Sequence, residues 1–335
     1  MQKKPKVSVV LPFRNAEKTL KEAVKSILDQ SFSNFELLLV DNASTDGSVK
    51  IAEGFAHQDA RIRLLTEPNV GLVYGLNAGL KHAQGEYIAR MDADDIAYPK
   101  RLELQYKFLV QNPSVDVVAT QIAFGSGDES KGIQAYIQWS NQLISHEEIQ
   151  LNRFVDAPLI HPTVMFRRDL ISEYGNYRYG DFPEDFELWL RWLEKGVHFY
   201  KLPQSLLYWR DHPHRLTRVD QRYRSETFYQ VKSKYLFRWL QQHNPFHPEV
   251  VVWGAGRKSR QRVKLLEKTG IYIKAYIDVV ANRTRTKPCI HYQDIEAPGK
   301  YFILSYLSNR GQRSRIKTYL LQKSYREGID FLLVG

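Results

Sequence analysis

The first hundred residues alternate between short apolar runs and segments with helical spacing, and this alternation is the feature that most constrains the fold. The runs are rich in Val, Ile and Leu and predict buried strands, and the segments between them predict helices. Short connections between alternating strands and helices favour an α/β fold with a parallel, doubly wound sheet. The predicted strands are VSVVLP (7–12), FELLLVDNAS (35–44), RIRLLTE (61–67) and EYIARMD (86–92), followed by DVVAT (116–120) and HPTVMFRR (161–168).

A second alternation begins near residue 248, after the segment NPFHPE. A strand, the segment WGAGRKS (253–259), a helix and a strand ending at Asp278 follow in the order of a Rossmann unit. Ser259 replaces the third glycine of the G-x-G-x-x-G pattern, which weakens the dinucleotide signal. Because no catalytic constellation follows it, the pattern favours a structural or regulatory nucleotide-recognising module over an NAD enzyme. We therefore predict a main domain over 1–219, a helical connection and linker over 220–247, and a small Rossmann-like domain over 248–335 that the main domain does not need for folding.

Polar residues follow the carboxyl ends of three predicted strands. They are the segments Pro12-Phe13-Arg14-Asn15, Asp41-Asn42 and Asp92-Ala93-Asp94. Ligands of open parallel sheets bind beyond these ends, so the three clusters are expected to converge on one crevice. Carboxylates as close as those of DADD raise each other's pKa unless a cation neutralises them. The alternative is an acidic turn in which Asp95 caps a helix that begins near Pro99.

Cysteine content and hydropathy bear on the compartment. The chain has 335 residues and one cysteine, Cys289, which excludes an intrachain disulfide framework and suits a reducing environment. The apolar run near the N-terminus is too short for a secretory leader or a membrane span. We therefore expect a cytoplasmic protein.

Charge is distributed unevenly along the chain. Residues 201–335 carry 26 Lys and Arg against 10 Asp and Glu, which leaves 22 and 27 for residues 1–200. A basic half attracts anionic lipid, nucleic acid or polyanionic substrates, or it is simply a soluble basic surface. No zinc-finger, RNP or repeated Arg-Gly pattern in the sequence supports nucleic-acid binding. We therefore expect no nucleic-acid partner and favour peripheral contact with the anionic inner face of a membrane.

Seven motifs carry a resemblance to a known family. Through the order of these motifs over about residues 6–215, the chain resembles the inverting GT-A glycosyltransferases of family 2, which assemble bacterial polysaccharide and lipopolysaccharide. The resemblance implies a GT-A fold and transfer of a hexosyl unit from a nucleotide-diphosphate sugar, typically a UDP-sugar, to a glycan or lipid-linked acceptor. The motifs are VSVVLPFRN, LLLVDNASTDGS, NVGLVYGLNAGL, GEYIARMDADDIAYPKRLELQ, HPTVMFRR, PEDFELWLR and YWRDHPHR.

The resemblance also implies how the donor is held. DADD looks like the family's DxD motif, with Asp92 near the donor ribose and Asp94 on a divalent metal, and Asp95 is expected to cap the next segment. Oxygen ligands suit Mn or Mg, and His212 of the pattern Tyr-x-Arg-x-His would add a nitrogen ligand. Asp41 matches the aspartate that binds the nucleotide base. The implied donor-binding residues are Pro12, Phe13, Asn15, Glu17, Asp41, Asn77, Arg90, Asp92, Ala93, Asp94 and Arg210.

Departures from the family pattern and local alternatives qualify several of these roles. Asn42 stands where the family often has a second Asp, and Phe13 where it often has Tyr, so stacking is retained without a hydroxyl. Asn15 and Asn77 have local alternatives as a helix cap and a turn residue. Arg90 has the alternative of a structural salt bridge.

An acceptor hydroxyl needs a base for in-line attack on the anomeric carbon. Asp185 of the Glu184-Asp185 pair occupies the family's base position, and Glu184 and His161 are expected on the acceptor side. The alternatives are a helix-capping acid for Asp185 and a satisfied core histidine for His161. The segment that holds Arg210 and His212 has the alternative of a solvated basic face.

Two other functions share the predicted fold. A sugar-nucleotide pyrophosphorylase needs a Gly-rich loop after the first strand, and LPFRNAEKTL has no glycine. A non-catalytic nucleotide-sugar-binding protein would not need Asp94, Asp185 and His212 together. The sequence therefore favours a transferase.

Overall fold

The computed structural model describes residues 4–125, 131–213, 215–281, 284 and 287–335. Contacts divide the chain into two compact units, each built from separated stretches. The first unit consists of Met1–Ile149, Leu159–Gly180 and Lys195–Val219, and the second of Gln150–Pro158, Asp181–Glu194 and Asp220–Gly335. Residues 181–194, which the sequence analysis assigns to the main domain, make their contacts within the second unit.

Strands and helices alternate over much of both units, and 3₁₀ turns lie at His161–Thr163, Gln221–Tyr223 and Tyr292–Asp294. The strands are β1 (Val7–Phe13), β2 (Phe35–Asp41), β3 (Ile62–Thr66), β4 (Tyr87–Arg90), β5 (Ile96–Ala97), β6 (Val117–Gly125), β7 (Met165–Arg167), β8 (Phe199–Arg210), β9 (Glu249–Trp253), β10 (Tyr272–Asp278), β11 (Cys289–His291), β12 (Ile303–Ser305) and β13 (Phe331–Leu333). The helices are α1 (Leu20–Leu28), α2 (Ser48–Gln58), α3 (Leu72–His82), α4 (Arg101–Gln111), α5 (Lys131–Gln142), α6 (His146–Asn152), α7 (Asp169–Tyr174), α8 (Glu184–Glu194), α9 (Leu216–Val219), α10 (Ser225–His243), α11 (Arg257–Glu267) and α12 (Arg310–Gln322).

The described residues of the first unit form one eight-stranded sheet in the order β3-β2-β1-β4-β7-β6-β8-β5. The pairs among β1, β2, β3 and β4 are parallel, and so is β6 with β8. β7 runs antiparallel to both β4 and β6, and β5 runs antiparallel to β8. The predicted α/β class with a mainly parallel sheet is confirmed, and the antiparallel strands are an addition to it.

Burial explains why β1 and the helix after it were predictable. Every residue of β1 is buried, as its continuous apolar run requires of a central parallel strand. In α1 the residues Leu20, Ala23, Val24 and Ile27 are fully buried, which is the face that their spacing predicts.

The strand β8 was not predicted, although it runs over twelve residues. Its pairing with β6 shifts register between Leu202 and Ser205, and Pro203 to Ser205 are exposed. An irregularity of this kind interrupts the alternation of apolar and polar residues that identifies a strand.

The described residues of the second unit form a five-stranded parallel sheet in the order β11-β10-β9-β12-β13. This order confirms the expected Rossmann-like arrangement. Its hydrophobic core includes Phe186 and Leu190 of α8 together with Val250 and Val252 of β9. A chain cut after residue 247 would leave part of this core open, which argues against the expectation that the preceding residues fold alone.

Across the described residues, none of the helices is long and apolar enough to cross a membrane.

Close packing of α3 on β1 generates a stability prediction. A Cβ added at Gly79 of α3 would lie 2.4 Å from Cγ1 of the buried Val10, whereas one added at the exposed Gly54 of α2 meets nothing within 4 Å. We expect Gly79→Ala to lower the free energy of unfolding by about 1–3 kcal/mol. Gly54→Ala should raise it by up to about 1 kcal/mol, because alanine favours the helix. Urea unfolding of both variants measures this difference, and equal stability of the two would contradict the packing argument.

Candidate functional site

The loop after β1 is tied to the loop after β2 by hydrogen bonds. Asn15, in the left-handed region with φ of 51°, accepts the Thr45 N–H at 2.8 Å through Oδ1 and donates its own N–H to Ser44 Oγ at 3.1 Å. Asp41, which is buried, accepts the Ser44 N–H at 3.1 Å. Glu17 joins the same loop by accepting the Gly47 N–H at 3.2 Å. Asn15, Glu17 and Asp41 therefore all contact the same loop, residues 44–47.

Asn42 organises the segment between β3 and α3. Its Nδ2 donates to the carbonyl oxygens of Asn69 at 2.6 Å and Glu67 at 3.3 Å, and its Oδ1 accepts the Gly71 N–H at 2.8 Å. A carboxylate at this position would have no proton to donate to the two carbonyls. The amide of Asn42 therefore makes two hydrogen bonds that a carboxylate could not make, a role that the sequence analysis did not predict.

Phe13 and Asn77 have structural contacts that limit their availability to a ligand. Phe13 is 2% exposed and belongs to the hydrophobic core, which leaves little of its ring for stacking. Asn77 donates through Nδ2 to the Tyr177 carbonyl at 2.9 Å and so holds α3 to the segment before residue 180. Pro12 packs closely against α3. A Cβ atom added at Gly75 of this helix would lie 3.0 Å from the Cβ atom of Pro12.

The turn after β4 concentrates negative charge. Oxygen atoms of Asp92, Asp94 and Asp95 all lie within 4.8 Å of one another. Nε2 of His212 is 2.7 Å from Oδ2 of Asp94. The predicted pair Asp94 and His212 is therefore in direct contact, although 118 positions separate the two residues.

Asp95 connects this turn to the end of β8 and to Arg215. It is fully buried and accepts the Arg210 N–H at 3.1 Å, and Nη1 of Arg215 lies 3.4 Å from the same oxygen. The expectation that Asp95 caps the next helix is wrong: α4 has Lys100 at its N-cap, without a side-chain cap bond. Burial raises the pKa of Asp95 well above its usual range, and the charge of Arg215 offsets only part of this rise. Arg215 has no role in the sequence-based prediction, although it is the last residue of the YWRDHPHR motif.

Asp94 differs from Asp95 in the balance of its surroundings. Burial raises its pKa, but the hydrogen bond with His212 and the charge of Arg215 lower it more, so the net shift is downward. Asp94 therefore stays ionised, as a ligand of a hard cation must. Carboxylate oxygens and an imidazole nitrogen suit Mn or Mg, and Oδ2 of Asp95 has no hydrogen-bond partner within the described ranges. These residues fit a divalent cation.

Two arginines of the predicted donor set have carboxylate partners. Arg90 is 3% exposed and its Nη1 forms an ion pair with Asp92. Although burial lowers the pKa of Arg90, pairing with Asp92 raises it more, so the guanidinium stays charged. Arg210 forms an ion pair with Glu22 of α1. For Arg90 the structural salt bridge that the sequence allowed is therefore present, beside the acidic turn.

His161 is buried and hydrogen-bonds through Nε2 to the Tyr177 hydroxyl at 2.6 Å. Burial, with the charge of Arg90, holds the pKa of His161 well below its usual range, so the imidazole is neutral. The contact agrees with the alternative of a satisfied core histidine.

Glu184 and Asp185 begin α8 and lie in the second unit. Both carboxylate oxygens of the buried Glu184 accept from the Tyr223 hydroxyl at 2.8 Å, and Arg222 Nη1 is 3.7 Å away. Asp185 is half-buried, and its Oδ1 accepts the Phe186 N–H at 2.7 Å. Glu184 is therefore held by its neighbours, whereas Asp185 retains partial access to solvent. His214 of the YWRDHPHR motif lies outside the described residues.

Comparison with known proteins identifies a family. The sequence model of the family described as "Glycosyl transferase family 2" matches residues 8–175. The putative glycosyltransferase EpsE of Bacillus subtilis is 37% identical over 211 residues, which is 62% of this chain and 73% of EpsE. The O-antigen biosynthesis glycosyltransferase WbnJ of Escherichia coli is 29% identical over 211 residues, covering 62% of this chain and 80% of WbnJ.

Solved structures share the fold at lower identity. S. aureus TarS 1-349 in complex with UDP-GlcNAc has a TM-score of 0.59 at 20% identity, over 78% of this chain and 71% of that chain. The mannosyltransferase PcManGT from Pyrobaculum calidifontis, in complex with GDP-Man and Mn2+, has a TM-score of 0.50 at 18% identity, over 72% and 65%. Likeness at this level of identity concerns the fold alone.

The contacts of Asn42 generate a prediction on stability. Asn42→Asp would set a carboxylate against two carbonyl oxygens, so we expect it to lower the free energy of unfolding by about 1–3 kcal/mol. Asn34→Asp is the matched control, since among the described residues the Asn34 side chain makes no hydrogen bond, and its effect should stay within about 0.5 kcal/mol. Chemical denaturation measures both. A loss for Asn42→Asp no larger than that of the control would contradict the proposed role of the amide.

Proposed function

Because this chain belongs to glycosyl transferase family 2, we propose that it transfers a hexosyl unit, with inversion, from a nucleotide-diphosphate sugar to a glycan or lipid-linked acceptor. The observation that carries the proposal is the acidic turn after β4, where Asp92 and Asp94 lie beside His212. The family match favours a transferase over a pyrophosphorylase. The intact acidic turn and Asp185 favour it over a protein that merely binds nucleotide sugars.

A divalent cation, Mn or Mg, is part of the proposal. Asp94 and His212 would hold it, and it would neutralise the negative charge of the departing diphosphate. Arg90 keeps Asp92 paired, so the turn carries less repulsion than three free carboxylates would. Support comes from the donor atoms described above and from PcManGT, whose complex contains Mn2+.

The nucleotide would lie across the ends of β1 and β2. Asp41, held by the Ser44 N–H, would accept a hydrogen bond from the base, and Asn15 and Glu17 fix the adjoining loop. We propose uridine as the base, from the match of Asp41 to the family motif. TarS, which shares the fold, binds UDP-GlcNAc, whereas PcManGT binds GDP-Man, so the fold is compatible with either nucleotide.

The chain's own chemical step is a proton transfer. Asp185 would accept the proton of the acceptor hydroxyl as that oxygen attacks the anomeric carbon. Glu184 would act as a positioning residue for the first turn of α8, since Tyr223 holds both of its oxygens. We place His161 on the acceptor side in its neutral form, oriented by Tyr177.

The cellular setting is also proposed. WbnJ is named for O-antigen biosynthesis, which supports a cell-surface polysaccharide or lipopolysaccharide as the product. The basic residues of positions 201–335 would hold the protein at an anionic membrane, where a lipid-linked acceptor resides.

The assignment of Asp185 is tested by a variant that keeps shape and removes basicity. After a screen of nucleotide sugars with Mn has identified a donor, we expect Asp185→Asn to lower kcat by about 10²–10⁴-fold. Donor affinity should change by no more than about threefold, because the base acts on the acceptor. Asp181→Asn, at an exposed position four residues earlier, is the control and should keep wild-type turnover. Parallel losses of donor binding and turnover, or unchanged turnover, would contradict the base role.

A further inference from the structure

Cationic side chains gather around Tyr229 in the second unit. Lys232 Nζ lies 3.7 Å from the centroid of the Tyr229 ring, and Arg262 Cζ lies 4.4 Å from the same centroid. Lys232 Nζ also donates to three backbone carbonyls, those of Phe154 at 2.9 Å, Val155 at 3.4 Å and Val334 at 2.6 Å. Lys232 therefore holds these two parts of the backbone together, and burial lowers its pKa well below the usual range.

Arg313, whose charge acts on both Tyr229 and Lys232, has incomplete hydrogen bonding. It is 9% exposed, and its Nε and Nη1 have no hydrogen-bond partner among the residues that the structure describes. A buried guanidinium without acceptors is unfavourable, because it loses its hydration and gains nothing in return. Its five donors match the oxygens of a phosphate or carboxylate. The side chain is thus ready for an anionic partner.

The surrounding charge is predominantly positive. Burial and the charge of Arg310 lower the pKa of Arg313, and Asp156 acts in the opposite direction. Burial also raises the pKa of Asp156, which weakens the negative charge available to balance Arg262, Arg310 and Arg313. An anion that entered this cluster would restore the balance.

Topology places the cluster where this kind of sheet binds ligands. In the sheet, β10 lies on one side of β9 and β12 lies on the other. The strand order therefore reverses between β9 and β12, and sheets of this kind bind ligands at such a topological switch point. Tyr306, directly after β12, has its ring centroid 6.1 Å from that of Tyr229. Arg313 lies in the first turn of α12, whose N-terminal amides and dipole favour an anion.

The glycine loop before α11 is a less suitable anion site. The Ala255 N–H of this loop already donates to Asp278 Oδ2 at 2.9 Å. Asp278 thereby brings a carboxylate into the loop that a phosphate would have to approach. α11 also begins with two basic residues, Arg257 and Lys258, but both are exposed, whereas Arg313 of α12 is buried.

We propose that the second unit binds a phosphate-bearing molecule at the N-terminus of α12, with Arg313 as its principal ligand and Arg262 and Arg310 beside it. This site belongs to the Rossmann-like unit and is separate from the acidic turn after β4. A phosphate bound there would accept the hydrogen bonds that the buried guanidinium of Arg313 lacks within the described part of the chain.

Phosphate-dependent stability of the full chain tests the proposal. Thermal unfolding is measured with inorganic phosphate or pyrophosphate at constant ionic strength, with EDTA present so that cation-dependent binding elsewhere is suppressed. The wild-type melting temperature should rise by about 2–4 °C at about ten times the Kd of the anion. Arg313→Met should lose this rise, and it should melt at the same or a higher temperature than wild type without phosphate, since a buried charge is removed.

Arg315→Met is the matched control, because it removes the same charge from an exposed position of the same helix. It should keep the wild-type response to phosphate. If Arg313→Met does not fold, Arg313→Lys keeps the charge but loses the planar fork, and its affinity for pyrophosphate in calorimetry should fall about tenfold. An equal response in wild type and the Arg313 variants, or no response in wild type, would overturn the proposal.

The source of the phosphate is distinguished with vesicles that contain phosphatidic acid. Sedimentation that depends on Arg313 would support the site with a lipid headgroup as its ligand. Pyrophosphate binding without Arg313-dependent sedimentation would support it with a soluble phosphate compound as its ligand.

Discussion

Compensation of charge around the turn Asp92–Asp95 is the interaction on which the first unit depends. Carboxylate oxygens this close repel one another unless cations offset them. Arg90 pairs with Asp92 and Arg215 with Asp95, and Nε2 of His212 lies 2.7 Å from Oδ2 of Asp94. The arrangement leaves Asp94 ionised and partly accessible, so a divalent cation can join a turn that is already fixed.

This compensation links remote parts of the sequence. Asp95 accepts the backbone N–H of Arg210 at the end of β8, and Arg215 lies with its guanidinium 3.9 Å from the centroid of the Trp209 ring. The end of β8 is thus joined to the end of β4 through a buried carboxylate. A site made this way requires that the mixed sheet form completely, because β7 and β6 lie between β4 and β8 in the sheet.

Prediction from sequence succeeded where a local pattern carries the information. The strands β1 and β2 follow from apolar runs, and the family resemblance named both Asp94 and His212, which the structure brings into contact. It failed where tertiary contacts decide, as at Asp95, whose carboxylate meets β8 instead of capping a helix, and at Asn42, whose amide bonds three distant backbone groups. The strand β8 was not predicted because an exposed irregularity interrupts its alternation of apolar and polar residues. The grouping of α8 with the second unit depends on core contacts that no local pattern reveals.

The central claim is that this turn binds a divalent cation and thereby a nucleotide. Calorimetric titration of the full chain with UDP, in Mn and in EDTA, tests it most directly. The account predicts binding in Mn that falls at least about tenfold in EDTA, and the same loss in Mn for Asp94→Asn. Equal UDP affinity with and without the cation, in both wild type and variant, would contradict it.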